Sequence, residues 1–305
     1  MEELSTCPVC HKSLNNSTKD GDNTLFLEAV DTLVSKKRFQ IEKCKSCGFL
    51  FTNPRPGKNE MAKYYRSDAY ISHTERKQTI KERIYFWVQK TMVRRKTALL
   101  KKHTKARSPK LLDFGCGTGN FMYHAHKHGF KPEGYEPDAS ARKKAESKGL
   151  YIFSNLDKLF GNKTECYDVI TLWHVLEHLH DFPSVLDDFH TKLKTKGLLV
   201  VAVPMAKSTD AVYYKHHWAG WDLPRHLYHF TSDTILRCCE FAGYELIERK
   251  GMPFDSYYVS WLSEQNKGSR MAPVNAFLIG SWSNLKAVFG KTPWSSEIFV
   301  FRKKP

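Results

Sequence analysis

The stretch KLLDFGCGTGNF, Lys110 to Phe121, decides the fold. Its first half is apolar and strand-like (Leu111, Leu112, Phe114), runs into glycines at 115, 117 and 119, and continues into a helix-forming run from Asn120 to His128. A buried strand that ends in closely spaced glycines brings its backbone tightly over a ligand and leaves the N–H groups of the next helix facing it. The spacing is GxGxG followed by Asn120, so the dinucleotide fingerprint GxGxxG is not met. Asp113 sits inside the strand end, where a carboxylate is costly unless it has a task. A second acid, Glu136 in EGYEPD, lies 21 residues after Gly115, at the end of the next expected strand. That is where an α/β nucleotide-binding fold places a carboxylate for ribose hydroxyls.

Outward from this stretch the pattern alternates. Strands are predicted at Lys110–Phe114, Lys131–Tyr135, Tyr151–Phe153, Tyr167–Leu172, Gly197–Val203, Tyr244–Lys250 and Ile298–Arg302. Helices are predicted at Phe121–His128, Asp138–Lys148, Pro183–Lys194 and Ser232–Ala242. Alternation of this kind gives a mostly parallel sheet covered on both faces, an α/β fold. Two insertions, 205–230 and 252–294, leave the sheet near its ligand edge, where a substrate lid belongs. Ahead of the sheet, 57–109 is a linker ending in a long basic helix, Thr79–His103, with apolar residues at Ile80, Ile84, Trp87, Val88, Met92, Leu99 and Leu100. That stripe is expected to dock on the domain that occupies 110–305.

Residues 1–110 hold 24 Lys+Arg against 11 Asp+Glu, half of all the basic residues in a chain of net charge +16. Such a basic third suits an acidic partner such as phosphate, nucleic acid or an anionic glycan, and equally a solvated basic surface. The longest apolar run, near Gly197–Pro204, falls far short of the ~18 residues of a membrane span, and MEELSTCPVC carries no apolar signal core, so a cytoplasmic protein is expected. Four of the eight cysteines stand as Cys7-x2-Cys10 and Cys44-x2-Cys47. Paired knuckles without a secretory signal point to a structural zinc ion held by four thiolates, stapling a small ribbon at 1–56 that has too little core to fold alone. A hairpin, FLEAV then KRFQIEKC, lies between the knuckles, and Cys116, Cys166, Cys238 and Cys239 lack partners at ligand spacing.

LLDFGCGTG, GYEPD and YDVITLWHVLEH, in that order, resemble the motifs of class I S-adenosylmethionine (SAM)-dependent methyltransferases over about residues 105–303. The resemblance implies a Rossmann-like seven-stranded sheet whose last strand, SSEIFVFRK, closes an antiparallel hairpin. It implies that Asp113, Gly115, Cys116, Gly117 and Gly119 wrap the methionine end of SAM and that Glu136 takes the ribose hydroxyls. Asn155 and Leu156 would border the adenine, and Trp173 would lie beside the methyl group. A subgroup of bacterial tailoring methyltransferases that carry an N-terminal CxxC…CxxCGFLFTNPRP ribbon is also similar.

Methyl transfer needs the acceptor positioned and, for a hydroxyl, a proton removed. WHVLEHLHD, Trp173–Asp181, offers His174, Glu177 and His178 for that work, and the His/Glu/His set could instead bind a divalent metal or merely pack the sheet end. HHWAGWDLPRHLYHFT, His216–Thr231, offers Trp218 and Trp221 as an aromatic wall, Arg225 for a phosphate or carboxylate, and His226 or His229 as base. The structural alternative is an approach to the next helix capped by Thr231 or Ser232. Tyr257, Tyr258 and Trp261 line either a pocket or a lid helix. The expected activity is methyl transfer to a small-molecule or saccharide acceptor, at oxygen, with RNA gripped by the basic N-terminal region as the alternative. No Asn/Asp-Pro-Pro-aromatic tetrad is present to serve exocyclic base nitrogens.

Overall fold

The computed structural model describes residues 1–14, 23–65, 80–161 and 164–304 and, in the helix that starts at Ile80, the side chains from Trp87 onward. Thr79 and the side chains of Ile80 and Ile84 in the predicted stripe lie outside the described residues. The hairpin predicted between the cysteine knuckles is β1 (Asn23–Val30) against β2 (Arg38–Cys44), joined antiparallel to β3 (Leu50–Thr52).

The chain then enters α1 (Lys58–Met61) and the long α2 (Ile80–His103). Leu99 and Leu100 of α2 are buried and pack with Leu111, Val169, Val200 and Val300 of the main sheet, while Trp87, expected in the same stripe, is 60% exposed. Its ring meets the edge of Phe254, at 6.0 Å.

From Lys110 the predicted alternation is found. β4 (Lys110–Phe114), α3 (Asn120–Lys127), β5 (Lys131–Tyr135), α4 (Ala139–Glu146), β6 (Tyr151–Phe153), α5 (Leu156–Phe160), β7 (Tyr167–Trp173), α6 (Phe182–Lys192) and β8 (Leu193–Pro204) follow one another. Then come α7 (Thr209–Tyr214), β9 (Tyr228–His229), α8 (Ser232–Phe241), β10 (Tyr244–Gly251), α9 (Pro253–Asn266), α10 (Ala272–Val288) and β11 (Ser296–Lys303). The seven-stranded sheet runs β10-β11-β8-β7-β4-β5-β6, with β11 alone antiparallel to its neighbours. Two parallel strands need crossovers, and helices supply them, which is why the central strands read as nearly unbroken apolar runs. β8 starts at Leu193 rather than at the predicted Gly197, because Leu193 is itself buried and pairs with Tyr167.

The small sheet is not closed by the N-terminal residues alone. Its order is β1-β2-β3-β9, so its fourth strand comes from the first insertion. Phe49 packs on Tyr228 (5.7 Å), Phe230 (5.6 Å) and Phe182 (6.0 Å), which makes one core of ribbon and α/β domain. Thr231 caps α8 in a capping box with Thr234, as the sequence suggested for one of two residues.

Candidate functional site

The glycine loop lies where β4 ends. Gly115 has φ +74°, and a Cβ there would come within 2.5 Å of Val175 Cγ2, so no larger residue fits. Gly117 has φ +54° and nothing within 4 Å of where a Cβ would be, so its backbone faces open space. Its N–H donates to Glu136 Oε2 (2.8 Å), and the N–H of Asp138 donates to Glu136 Oε1 (2.9 Å). Burial outweighs these bonds and lifts the Glu136 pKa above the usual carboxylate range.

Asp113 is fully buried and accepts from Thr171 Oγ1 (2.7 Å). Burial pushes its pKa up to about 7, against the pull of Thr171 and Lys96. Lys96, contributed by α2, stands over the Trp173 ring at 4.2 Å, and burial draws its ammonium down to about 8 although Asp113 and Asp255 favour the charge. The sequence reading missed Lys96: on a helix of basic residues nothing marks the one that turns inward. Trp173 Nε1 is buried without a hydrogen-bond partner among the described residues. Cys116 is half-buried beside Gly134, where a Cβ would touch its Sγ at 2.7 Å. Asn155 caps α5, accepting from Asp157 N (2.6 Å), and Leu156 follows half-buried. Open space over Gly117, two buried carboxyls and an unpaired indole N–H make a cradle that fits SAM.

A histidine cluster borders this edge, just beyond β7. His174 has φ +58°, Nε2 3.2 Å from Asp255 Oδ2 and Nδ1 3.5 Å from Glu177 Oε1. Burial opposes its charge, yet Asp255 and Glu177 hold its pKa up to about 9, so it is an imidazolium at neutral pH. Asp255 arrives from α9, in the second insertion, a partner that sequence spacing could not reveal. Burial and the neighbouring His226 push His178 down to about 4, leaving it neutral. Its Nδ1 lies 3.0 Å from both the Arg225 carbonyl oxygen and the Tyr65 hydroxyl. His226 approaches from the first insertion, its Nδ1 2.9 Å from Gly220 O and its ring 4.6 Å from that of His178. Thus His174, His178 and His226, more than 40 residues apart at the extremes, share one site.

The rest of the first insertion departs from expectation. Arg225 is 1% exposed, and its guanidinium binds Asp222 (2.7 Å), Asp31 (3.1 Å) and Tyr64 O (3.0 Å), a buried structural network rather than a surface presented to a phosphate. Trp218 and Trp221 are 2% and 3% exposed, and their indole N–H groups donate to Asp210 and to Lys215 O. They are core, not a wall open to a sugar. His229 is buried and pairs with Thr52 Oγ1 (3.1 Å), which removes it as a base. Tyr257 stacks on Phe277 within the α9–α10 hairpin (5.8 Å).

Far along the same small sheet, the Sγ atoms of Cys7, Cys10, Cys44 and Cys47 all lie within 4.8 Å of one another. Cys7–Cys47 and Cys10–Cys44 stand at 3.6 and 3.7 Å, against about 3.8 Å between thiolates on tetrahedral zinc with 2.3 Å bonds. Burial raises the Cys7 thiol strongly and Cys47 to about 11, so four thiolates here require a cation. The donor set fits zinc.

A family model described as Methyltransferase domain matches residues 85–249. The chain is 30% identical to a ubiquinone biosynthesis O-methyltransferase of Actinobacillus pleuropneumoniae over 160 residues, 44% of this chain and 68% of that protein. Among solved structures, the fold resembles the Burkholderia thailandensis 1,6-didemethyltoxoflavin-N1-methyltransferase with bound 1,6-didemethyltoxoflavin and S-adenosylhomocysteine. That likeness has a TM-score of 0.51 at 15% identity and covers 84% of this chain and 96% of that one.

Proposed function

The chain belongs to the methyltransferase-domain family and is a SAM-dependent methyltransferase, and on that premise we propose that it methylates a hydroxyl of a small-molecule or saccharide acceptor. The observation that carries this reading is the meeting of the Gly117 cradle, Asp113 and Glu136 with three histidines at one sheet edge. Bound in the cradle, SAM supplies an electrophilic methyl group. Glu136 takes the ribose hydroxyls while keeping its two backbone N–H donors, since each carboxylate oxygen has a second lone pair. Asp113 and the Gly115–Gly119 loop hold the methionine end, with Cys116 beside it, and Trp173, Asn155 and Leu156 frame the rest.

Proton removal from the acceptor falls to His226, whose Nδ1 donates to Gly220 O, so that Nε2 is the ring nitrogen left to take the proton. His174, charged, orients the acceptor oxygen as a donor, and His178 positions His226 through ring contact. The O-methyltransferase activity in the name of the 30% identical relative supports oxygen as the acceptor atom. Zinc on the four cysteines fixes the small sheet, consistent with a ribbon-bearing tailoring subgroup. The test is calorimetry with SAM, followed by a turnover screen of hydroxylated small molecules, saccharides and RNA. Wild-type protein that binds no SAM would sink the assignment, and turnover on RNA alone would replace the acceptor class.

A further inference from the structure

Glu177, His178 and His226 converge beside the acceptor edge. Glu177 is fully buried, and neither of its carboxylate oxygens has a hydrogen-bond partner among the described residues. Only the His174 imidazolium, without a good hydrogen bond, offsets the cost of burying this carboxylate. His174 Nδ1 and His226 Nε2 lie 3.5 and 3.9 Å from its Oε1, too far for a good hydrogen bond. A carbonyl oxygen can only accept, so the His226 Nδ1 facing Gly220 O and the His178 Nδ1 facing Arg225 O each carry the ring proton. With Nδ1 so committed, Nε2 is the nitrogen of each ring left to serve as a metal ligand. Pinning Nδ1–H to a backbone carbonyl is how proteins orient a metal-binding imidazole. One donor atom from each of Glu177, His178 and His226 lies within 4.8 Å of the others. The 3.9 Å between His226 Nε2 and Glu177 Oε1 needs to shrink by less than about 1 Å to match two ligands on one ion with 2.0–2.2 Å bonds. Asp222, also 3.9 Å from His226 Nε2, is already occupied by Arg225.

We propose that Glu177, His178 and His226 form a second metal site, separate from the four cysteines, that binds a divalent first-row transition-metal ion. Two imidazoles and one carboxylate select such an ion over Mg2+ or Ca2+ and leave coordination positions open to an acceptor oxygen. The proposal rests on the acceptor reading above and changes one role in it: with its Nε2 on the ion, His226 would be a ligand rather than the base, and the ion would lower the pKa of an acceptor hydroxyl bound to it. Full-length protein carrying zinc on its cysteines is titrated with Co2+, with stoichiometry followed by calorimetry and visible absorption. The expected result is one further equivalent, with the weak bands of nitrogen and oxygen ligation and no thiolate charge-transfer band. Glu177→Gln and His226→Gln should each weaken it at least tenfold. A wild type that takes up no second equivalent overturns the site whether or not the variants fold, as does thiolate-type absorption or wild-type binding in both variants. SAM affinity is read on the same samples: Co2+ uptake in a wild type that binds no SAM supports the metal site and sinks the methyltransferase cradle instead.

Discussion

Two acids at the cradle differ in what holds them. Glu136 is fixed by two backbone N–H donors that a substitution would strand. Glu136→Ala should weaken SAM by about 1–3 kcal/mol, the usual cost when a buried polar group loses its partner. Calorimetry showing unchanged affinity would remove Glu136 from the ribose. Asp113 gives a pH signature. Its ordinary pKa is about 3.9, while in the fold burial raises it to about 7. Between those values the folded chain keeps a proton that the unfolded chain has lost, so this group makes stability fall as pH rises from about 4 to 7. Asp113→Asn should flatten that slope, and urea unfolding at several pH values checks it. Parallel wild-type and variant curves would contradict the raised pKa.

The element that joins the two sheets is the first insertion, and Arg225 is its pin. The guanidinium ties Asp222 on its own segment to Asp31 in the β1–β2 turn, where Asp31 also accepts from Ser35 N (2.7 Å). Removing it leaves the fully buried Asp31 carboxylate without its counter-charge, so Arg225→Met should cost about 3–5 kcal/mol in denaturant unfolding. Arg225→Lys should rescue little, because an ammonium cannot span both carboxylates and Tyr64 O at once. A loss under ~1 kcal/mol would mean that the pair is solvated. Arg55 acts likewise, donating to Tyr228 OH (2.8 Å) and His180 O (3.2 Å).

Across the whole molecule the cysteine cluster is connected to the chemistry. Cys44 ends β2, Cys47 lies in the turn before β3, and β3 pairs with β9. Thr52 of β3 donates through N–H to Leu227 O (2.9 Å) and through Oγ1 to His226 O (2.8 Å). Metal on the four cysteines should therefore position His226, and Cys44→Ser should lose one tightly held zinc, lower the melting temperature and cut turnover together. Elemental analysis, melting and activity on one preparation decide it. A zinc-free variant with wild-type turnover would uncouple ribbon from site.

The glycine loop at the end of β4 and the acid that faces it were legible because their logic is local. A strand, three glycines and an acid 21 residues on are consecutive signals, and strands such as Lys110–Phe114 and Lys131–Tyr135 appear with the predicted ends. The cysteine knuckles were legible for the same reason, since each pair is fixed by its spacing in the chain. What the sequence could not determine was which of many polar residues turn inward. Trp218, Trp221 and Arg225 have the composition of a binding surface, yet burial against Asp210, Asp31 and Phe26 made them structural. Lys96, Asp255 and the meeting of Glu177 with His226 depend on packing between elements 49 or more residues apart, along contacts no periodicity encodes. Only the tertiary fold, by placing β9 on the edge of the small sheet, brought His226 to the end of β7.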